Sequence, residues 1–145
     1  MQDITQSELI LNLILSAGLF GIIWIVQIVQ YPSFLRISEA EWMNFHQHHS
    51  RSISWIVMPF MLAEFVQTGM LVLRSGVTGD WYIPMLLILG IWLSTFFIQV
   101  PIHQRLQEGK DLGLIKRLIQ TNWIRTILWS AKLIYISWIC YISLS

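Results

Sequence analysis

The chain has 145 residues, of which 55% are hydrophobic and only 12% charged, and its formal net charge is +1. Soluble domains carry about 25% charged residues, so this chain cannot cover a water-facing surface, and its solvent is lipid. The small net charge without a basic stripe excludes nucleic acid as a partner, and a single cysteine, Cys140, excludes an internal disulfide and a Cys-based zinc site.

The opening MQDITQSE is acidic and lacks the positive region of a secretory signal, so the first apolar run is expected to be a permanent span. That run, about 9–30, is followed by three more at about 53–73, 82–101 and 123–144. Each meets the ~20 apolar residues a helix needs to cross a bilayer. Eight Trp and four Tyr suit the two interfaces. The connector from Tyr31 to Ser52 contains ISEAEWMNFHQHH and is expected to form a short helix along the interface. The connector 102–122 reads similarly, with Leu112, Ile115, Leu118 and Ile119 on one helical face. Between spans two and three, RSGVTGDW (74–81) is a tight Gly-containing turn.

Lys and Arg set the orientation. Arg36, Arg51, Arg105, Lys110, Lys116, Arg117 and Arg125 lie in or beside the first and third connectors, against Arg74 alone on the other side. Those two connectors are therefore expected in the cytoplasm and both termini outside it.

The two halves repeat. Gly21, Gln30, Pro32 and Arg36 match Gly90, Gln99, Pro101 and Arg105 at a single offset of 69 residues, and Arg51-Ser-Ile-Ser-Trp55 then matches Arg125-Thr-Ile-Leu-Trp129. Because corresponding spans run in the same direction, the halves are expected to be parallel repeats about an axis along the membrane normal. Each proline marks the end or a kink of its span, and Gln30 and Gln99, one turn inside, are placed to bond the carbonyls that proline leaves free. The expected fold is all-α: a single four-helix transmembrane domain over 1–145, built from helical hairpins at about 9–74 and 82–144.

Two ionisable residues lie inside spans. Glu64 is about 16 Å past the start of span two and Lys132 about 13 Å past the start of span four, at 1.5 Å per residue. Both depths run from the same side, and a charge there costs ~3 kcal/mol or more unless it is paired. Each is the other's evident partner, either as an ion pair joining the helices or as a proton-handling site. Gln67 and Thr68 share the Glu64 face, and Arg125 and Trp129 that of Lys132. Pro59 loosens the backbone at Trp55 and can shape a cavity there.

His46 and His49 share a helical face, while His48 points elsewhere. His103, Tyr31, Gln30, Gln99, Asn122 and Arg125 all fall at a similar depth. These residues are expected to converge at the inner mouth of the bundle, with His49 and His103 joining Glu64 and Lys132 as catalytic candidates. Gln30, Tyr31, Gln99, Asn122 and Arg125 are the binding candidates. Imidazole suits iron, copper and zinc, which makes His46, His49 and His103 a candidate metal or heme set; a proton relay through the same imidazoles needs no metal.

The stretches SAGLFGIIWIVQIVQYP (16–32), VMPFMLAEFVQTGMLVL (57–73) and NWIRTILWSAKL (122–133) resemble a family of small bacterial four-span membrane proteins. The resemblance extends more loosely to anthrone-oxygenase-like membrane proteins. The AGLF element, the Pro59 to Thr68-Gly69 spacing and Trp129-x-x-Lys132-Leu133 also resemble the heme-binding HemJ-type protoporphyrinogen oxidase. That resemblance implies a first-span histidine paired with the lysine that Lys132 matches, but the first span here has no histidine. Glu64-x3-Thr68 followed by Arg74-Ser75-x-x-Thr78 is similar to the proton-exchanging motif of small multidrug transporters. The expected functions are an oxidoreductase or oxygenase-like protein of the bacterial inner membrane, acting on a hydrophobic ring compound, quinone or heme. The alternatives are a proton-coupled carrier centred on Glu64 and a non-catalytic assembly or lipid-binding protein. So small a bundle has little room for a private cavity, so a homo-oligomer is expected.

Overall fold

Four long helices account for nearly the whole chain in the computed structural model, which describes residues 4–75 and 79–144. They are α1 (Gln6–Arg36), α2 (Glu39–Ser75), α3 (Tyr82–Leu106) and α4 (Leu112–Leu144), and among the described residues there is no strand. All four are long and apolar enough to cross a membrane. Thr5 caps α1 through a reciprocal box, its hydroxyl accepting from the Glu8 amide while its own amide donates to the Glu8 carboxylate. Asp111 caps α4, accepting from the Leu114 amide at 2.9 Å.

The helices extend well beyond the apolar runs. At 37 residues α2 is about 55 Å long, against a hydrocarbon core of about 30 Å. The segment expected to lie along the interface is thus no separate helix: from Glu39 it continues into span two. Nothing in EAEWMNFHQHHSRS breaks a helix, and its Trp42, His46 and His49 are buried by protein rather than by lipid. The second connector behaves likewise, with Ile115 and Leu118 fully buried on α4, although Leu112 is exposed. α2 also passes through Pro59 without interruption. Of the connector RSGVTGDW, residues 76–78 lie outside the described residues, Thr78 of the transporter-like motif among them.

α4 is the central post, packing along α1 and against α3; α2 packs on α1 and on the Tyr82–Ser94 half of α3. Both α1 and α3 contain one π-helical turn, Val26–Gln30 and Thr95–Gln99, the second beginning and ending 69 residues after the first. Each turn immediately precedes a residue followed by proline. A proline ring clashes with the carbonyl four residues back, and widening that turn to i→i−5 bonding relieves the clash without ending the helix. Pro32 and Pro101 therefore do not close their spans, which run on to Arg36 and Leu106.

Two apolar clusters lie at opposite ends of the bundle. Leu9, Leu71, Trp81, Ile136 and Ile139 pack at the end bearing the termini. A larger cluster containing Leu19, Phe34, Trp42, Met61, Leu106 and Trp129 fills the other half. Polar side chains separate them.

Candidate functional site

The dividing layer is a closed network around Glu64 and Lys132, both essentially inaccessible. The Lys132 ammonium donates to Glu64 Oε1 at 2.9 Å, to Ser16 Oγ at 2.6 Å and to Asn12 Oδ1 at 3.3 Å, which uses all three of its protons. The other carboxylate oxygen, Oε2, accepts from the Trp129 indole at 3.2 Å. Asn12 donates in turn to Thr68 Oγ1 at 2.9 Å and to Gln67 Oε1, and Gln67 Nε2 reaches the Glu8 carbonyl at 2.7 Å. A Glu8–Arg74 ion pair closes the termini end. Sequence pattern paired Glu64 with Lys132 and turned Gln67 and Thr68 inward with them. It missed Asn12 and Ser16, since one small polar residue per turn of an apolar helix reads as background.

The second polar group forms at the opposite end, where α2 and α3 run past the π-helical turns. Tyr31 Oη and His103 Nε2 are 3.1 Å apart, and His103 Nδ1 and His46 Nε2 are also 3.1 Å apart. The chain is complete in either direction. Tyr31 can donate to His103 and His103 to His46, or every proton can sit one place over, which frees the Tyr31 hydrogen. Gln30 Nε2 lies 3.1 Å from His49 Nδ1. His46 stacks between Trp42 and His103, with ring centroids 5.1 and 5.3 Å away. Trp42, fully buried, donates to the Leu106 carbonyl at 2.9 Å and holds α2 against the end of α3.

Gln27, which the sequence reading passed over, is the hinge of the α4 side. Its amide donates to the Ile119 carbonyl at 3.1 Å and its oxygen accepts from Asn122 at 2.9 Å and Thr126 at 3.3 Å. The expected capping of proline-freed carbonyls by Gln30 and Gln99 is not what these amides do. Gln30 turns to His49, and Gln99 accepts from Ser94 at 3.0 Å. The widened turn has already accommodated the proline.

Between these polar groups lies a cavity of about 320 Å³. Leu19, Ile23, Val26, Met61 and Trp129 give it apolar walls, and Tyr31, His103, Thr95, Gln99, Ser50 and Arg125 its polar side. Its exposed lining residues are Ser54 and Met58 of α2, Val100 and Gln104 of α3 and Gln107 just past the end of α3, so it opens through the cleft between these two helices. The turn of α2 preceding Pro59 forms one lip, as the proline suggested, but Trp55 itself faces outward at 74% exposure.

Arg51 and Arg125 correspond in sequence yet differ in setting. Arg51 is exposed, whereas Arg125 is 7% exposed. The Arg125 guanidinium lies beside the Tyr31 hydroxyl, 5.1 Å above the Trp129 ring, and donates to Asn122 Oδ1 at 3.4 Å. The two ion pairs among the described residues, Lys132–Glu64 and Arg74–Glu8, both leave it without a carboxylate. Seven of the eight residues expected at the inner mouth line this cavity or join the histidine cluster beside it; Asn122 instead bonds Gln27 and Arg125, and His48 is exposed.

The metal and heme expectations meet a different geometry. His46, His49 and His103 come together as hydrogen-bonded and stacked pairs, and among the described residues no group of three His, Cys, Asp or Glu side chains is arranged to hold a metal ion. Heme ligation by Lys132 does not fit, since its amine is fully engaged with Glu64, Ser16 and Asn12. Compared with models of protein families, with curated proteins and with solved structures, the chain has no match.

Proposed function

We propose that this is a multi-pass inner-membrane protein that binds a hydrophobic ring compound, a quinone for example, in the α1–α4 cavity and passes a proton to its polar end through Tyr31, His103 and His46. The observation that carries the reading is an apolar slot with a continuous hydrogen-bond chain ending on its wall. Pockets of this kind, mostly apolar with a few convergent polar groups, are what small-molecule sites look like. A neutral imidazole donates from one ring nitrogen while accepting at the other, which suits a relay along such a chain. A proton-linked oxidoreductase or oxygenase-like role uses both features, in line with the resemblance to anthrone-oxygenase-like proteins. The positive connectors would place the site at the cytoplasmic end. Internal duplication is supported by the two π-helical turns at the same 69-residue offset as the repeated Gly, Gln, Pro and Arg positions.

A carrier centred on Glu64 is less favoured, because both carboxylate oxygens are bonded to protein and a carrier must expose that group to its cargo. The test is binding of 2-methyl-1,4-naphthoquinone to protein in phosphatidylcholine nanodiscs. Saturable binding that Val57→Phe abolishes by filling the slot supports the proposal. Tyr31→Phe should leave binding intact and slow protonation of the quinone after rapid dithionite reduction. Absence of saturable binding, or equal binding by Val57→Phe, overturns it.

A further inference from the structure

The cavity wall carries more hydrogen-bonding capacity than the protein uses. Gln99, Arg125 and Ser50 all line it, and the buried atoms Gln99 Nε2, Arg125 Nε and Ser50 Oγ have no partner among the described residues. Gln99 is 2% and Arg125 7% exposed. Buried donors are paired in the great majority of cases, and a charge in lipid is paired or costs several kcal/mol. Two donors and a hydroxyl left unpartnered on three helices around one cavity, one of them on a buried cation without a carboxylate, describe a seat shaped for something absent from the chain.

We propose that the occupant of this cavity is an acid: a hydrophobic ring compound with one carboxylate or phosphate group, its anionic oxygens held by Arg125, Gln99 and Ser50. This rests on the reading of the cavity as a ligand site and narrows it from a neutral acceptor such as a quinone to an anion. The chemistry is complementary at each point. The Arg125 guanidinium supplies the opposite charge and a planar fork of donors suited to carboxylate and phosphate oxygens. Tyr31, bonded to His103 on the same wall, offers a hydroxyl beside that guanidinium. Trp129, under the guanidinium, gives an aromatic face for the ring. A complete phospholipid is too large for about 320 Å³, so a lipid would seat only its phosphate and leave its chains in the cleft between α2 and α3.

The experiment compares 2-naphthoate with its neutral counterpart 2-naphthylmethanol, binding to the protein in phosphatidylcholine nanodiscs. The acid should bind at least about tenfold more tightly, the size of one good charge-assisted hydrogen bond. Arg125→Gln should remove that preference while 2-naphthylmethanol still binds. Should Arg125→Gln fail to fold, Gln99→Leu reports on the same seat and should reduce the preference severalfold. Phosphatidylglycerol in the nanodisc distinguishes the source: competition with 2-naphthoate assigns the seat to a lipid phosphate, and no competition to a free acid; either keeps the anion seat. If both probes bind wild-type protein equally, or the preference survives Arg125→Gln, the anion seat is overturned while the ligand cavity stands. If neither probe binds, both readings fall.

Discussion

Glu64→Gln removes one charge from a network in which every donor and acceptor is engaged, and the consequence can be worked out bond by bond. The amide keeps nearly the shape of the carboxylate but only one acceptor oxygen, so it cannot accept from both the Trp129 indole and the Ser16 hydroxyl. Lys132 does not retain its counter-charge. Its ammonium, 0% exposed and in a layer enclosed by Leu19, Met61 and Trp129 on one side and Leu9 and Leu71 on the other, is left with two neutral acceptors, Ser16 and Asn12. Removing one partner of a buried pair costs about 3–5 kcal/mol, whereas replacing both with apolar groups of similar volume is often neutral. Glu64→Gln, Glu64→Leu and Lys132→Met should each lose about 3–5 kcal/mol, and Glu64→Leu with Lys132→Met together far less than the sum of those two singles. The assay is reversible unfolding in mixed micelles at rising SDS fraction, followed by circular dichroism, arranged as a double-mutant cycle. Single-variant losses below about 1 kcal/mol, or additive losses in the double variant, would refute the closed-pair reasoning and return Glu64 to consideration as a proton carrier.

Other consequences are local. Trp42→Phe removes the indole bond to the Leu106 carbonyl and is expected to cost about 1–3 kcal/mol, with faster amide exchange at 103–107 than elsewhere in α3. Gln27→Leu strands the fully buried Asn122 amide and removes the side-chain bond to the Ile119 carbonyl, while Thr126 keeps its bond to the Asn122 carbonyl, and should lower the thermal midpoint in detergent by a similar free energy; the exposed Gln47→Leu should not.

Much of the architecture was readable because lipid simplifies the code. Four apolar runs can only be helices or a barrel, and run length decided between them. The Glu64–Lys132 pair was readable for the same reason, since two opposite charges at matched depth have few alternatives to each other. Helix length was not readable. The stretch 39–52 carries too many polar residues to look like a span, and only tertiary contacts at Trp42, His46 and His49 show that it continues one. The π-helical turns were equally hidden. Proline advertised a break, but whether a helix ends or widens depends on what packs around it, and here Tyr31 and Ile102 are buried on the far side of each turn. The cavity was missed for a related reason. A bundle of four helices looked too small to hold one, yet α2 meets the Val100–Leu106 part of α3 through Trp42, His46 and His49, and the cavity opens between the two helices beside that contact. Gln27, Ser50 and Thr95 escaped notice because an uncharged polar residue carries no signal until its neighbours in space are known.

The central claim is that the inward polar groups near the histidines border a slot reached sideways from the bilayer. Photolabelling with a diazirine-bearing naphthoquinone in nanodiscs, with modified residues mapped by mass spectrometry, tests it most directly. Saturable modification is expected at Met58, Met61 and Trp129, competed by unlabelled 2-methyl-1,4-naphthoquinone. Modification confined to outward residues such as Leu73, Ile134 and Tyr141, and indifferent to competitor, would contradict it.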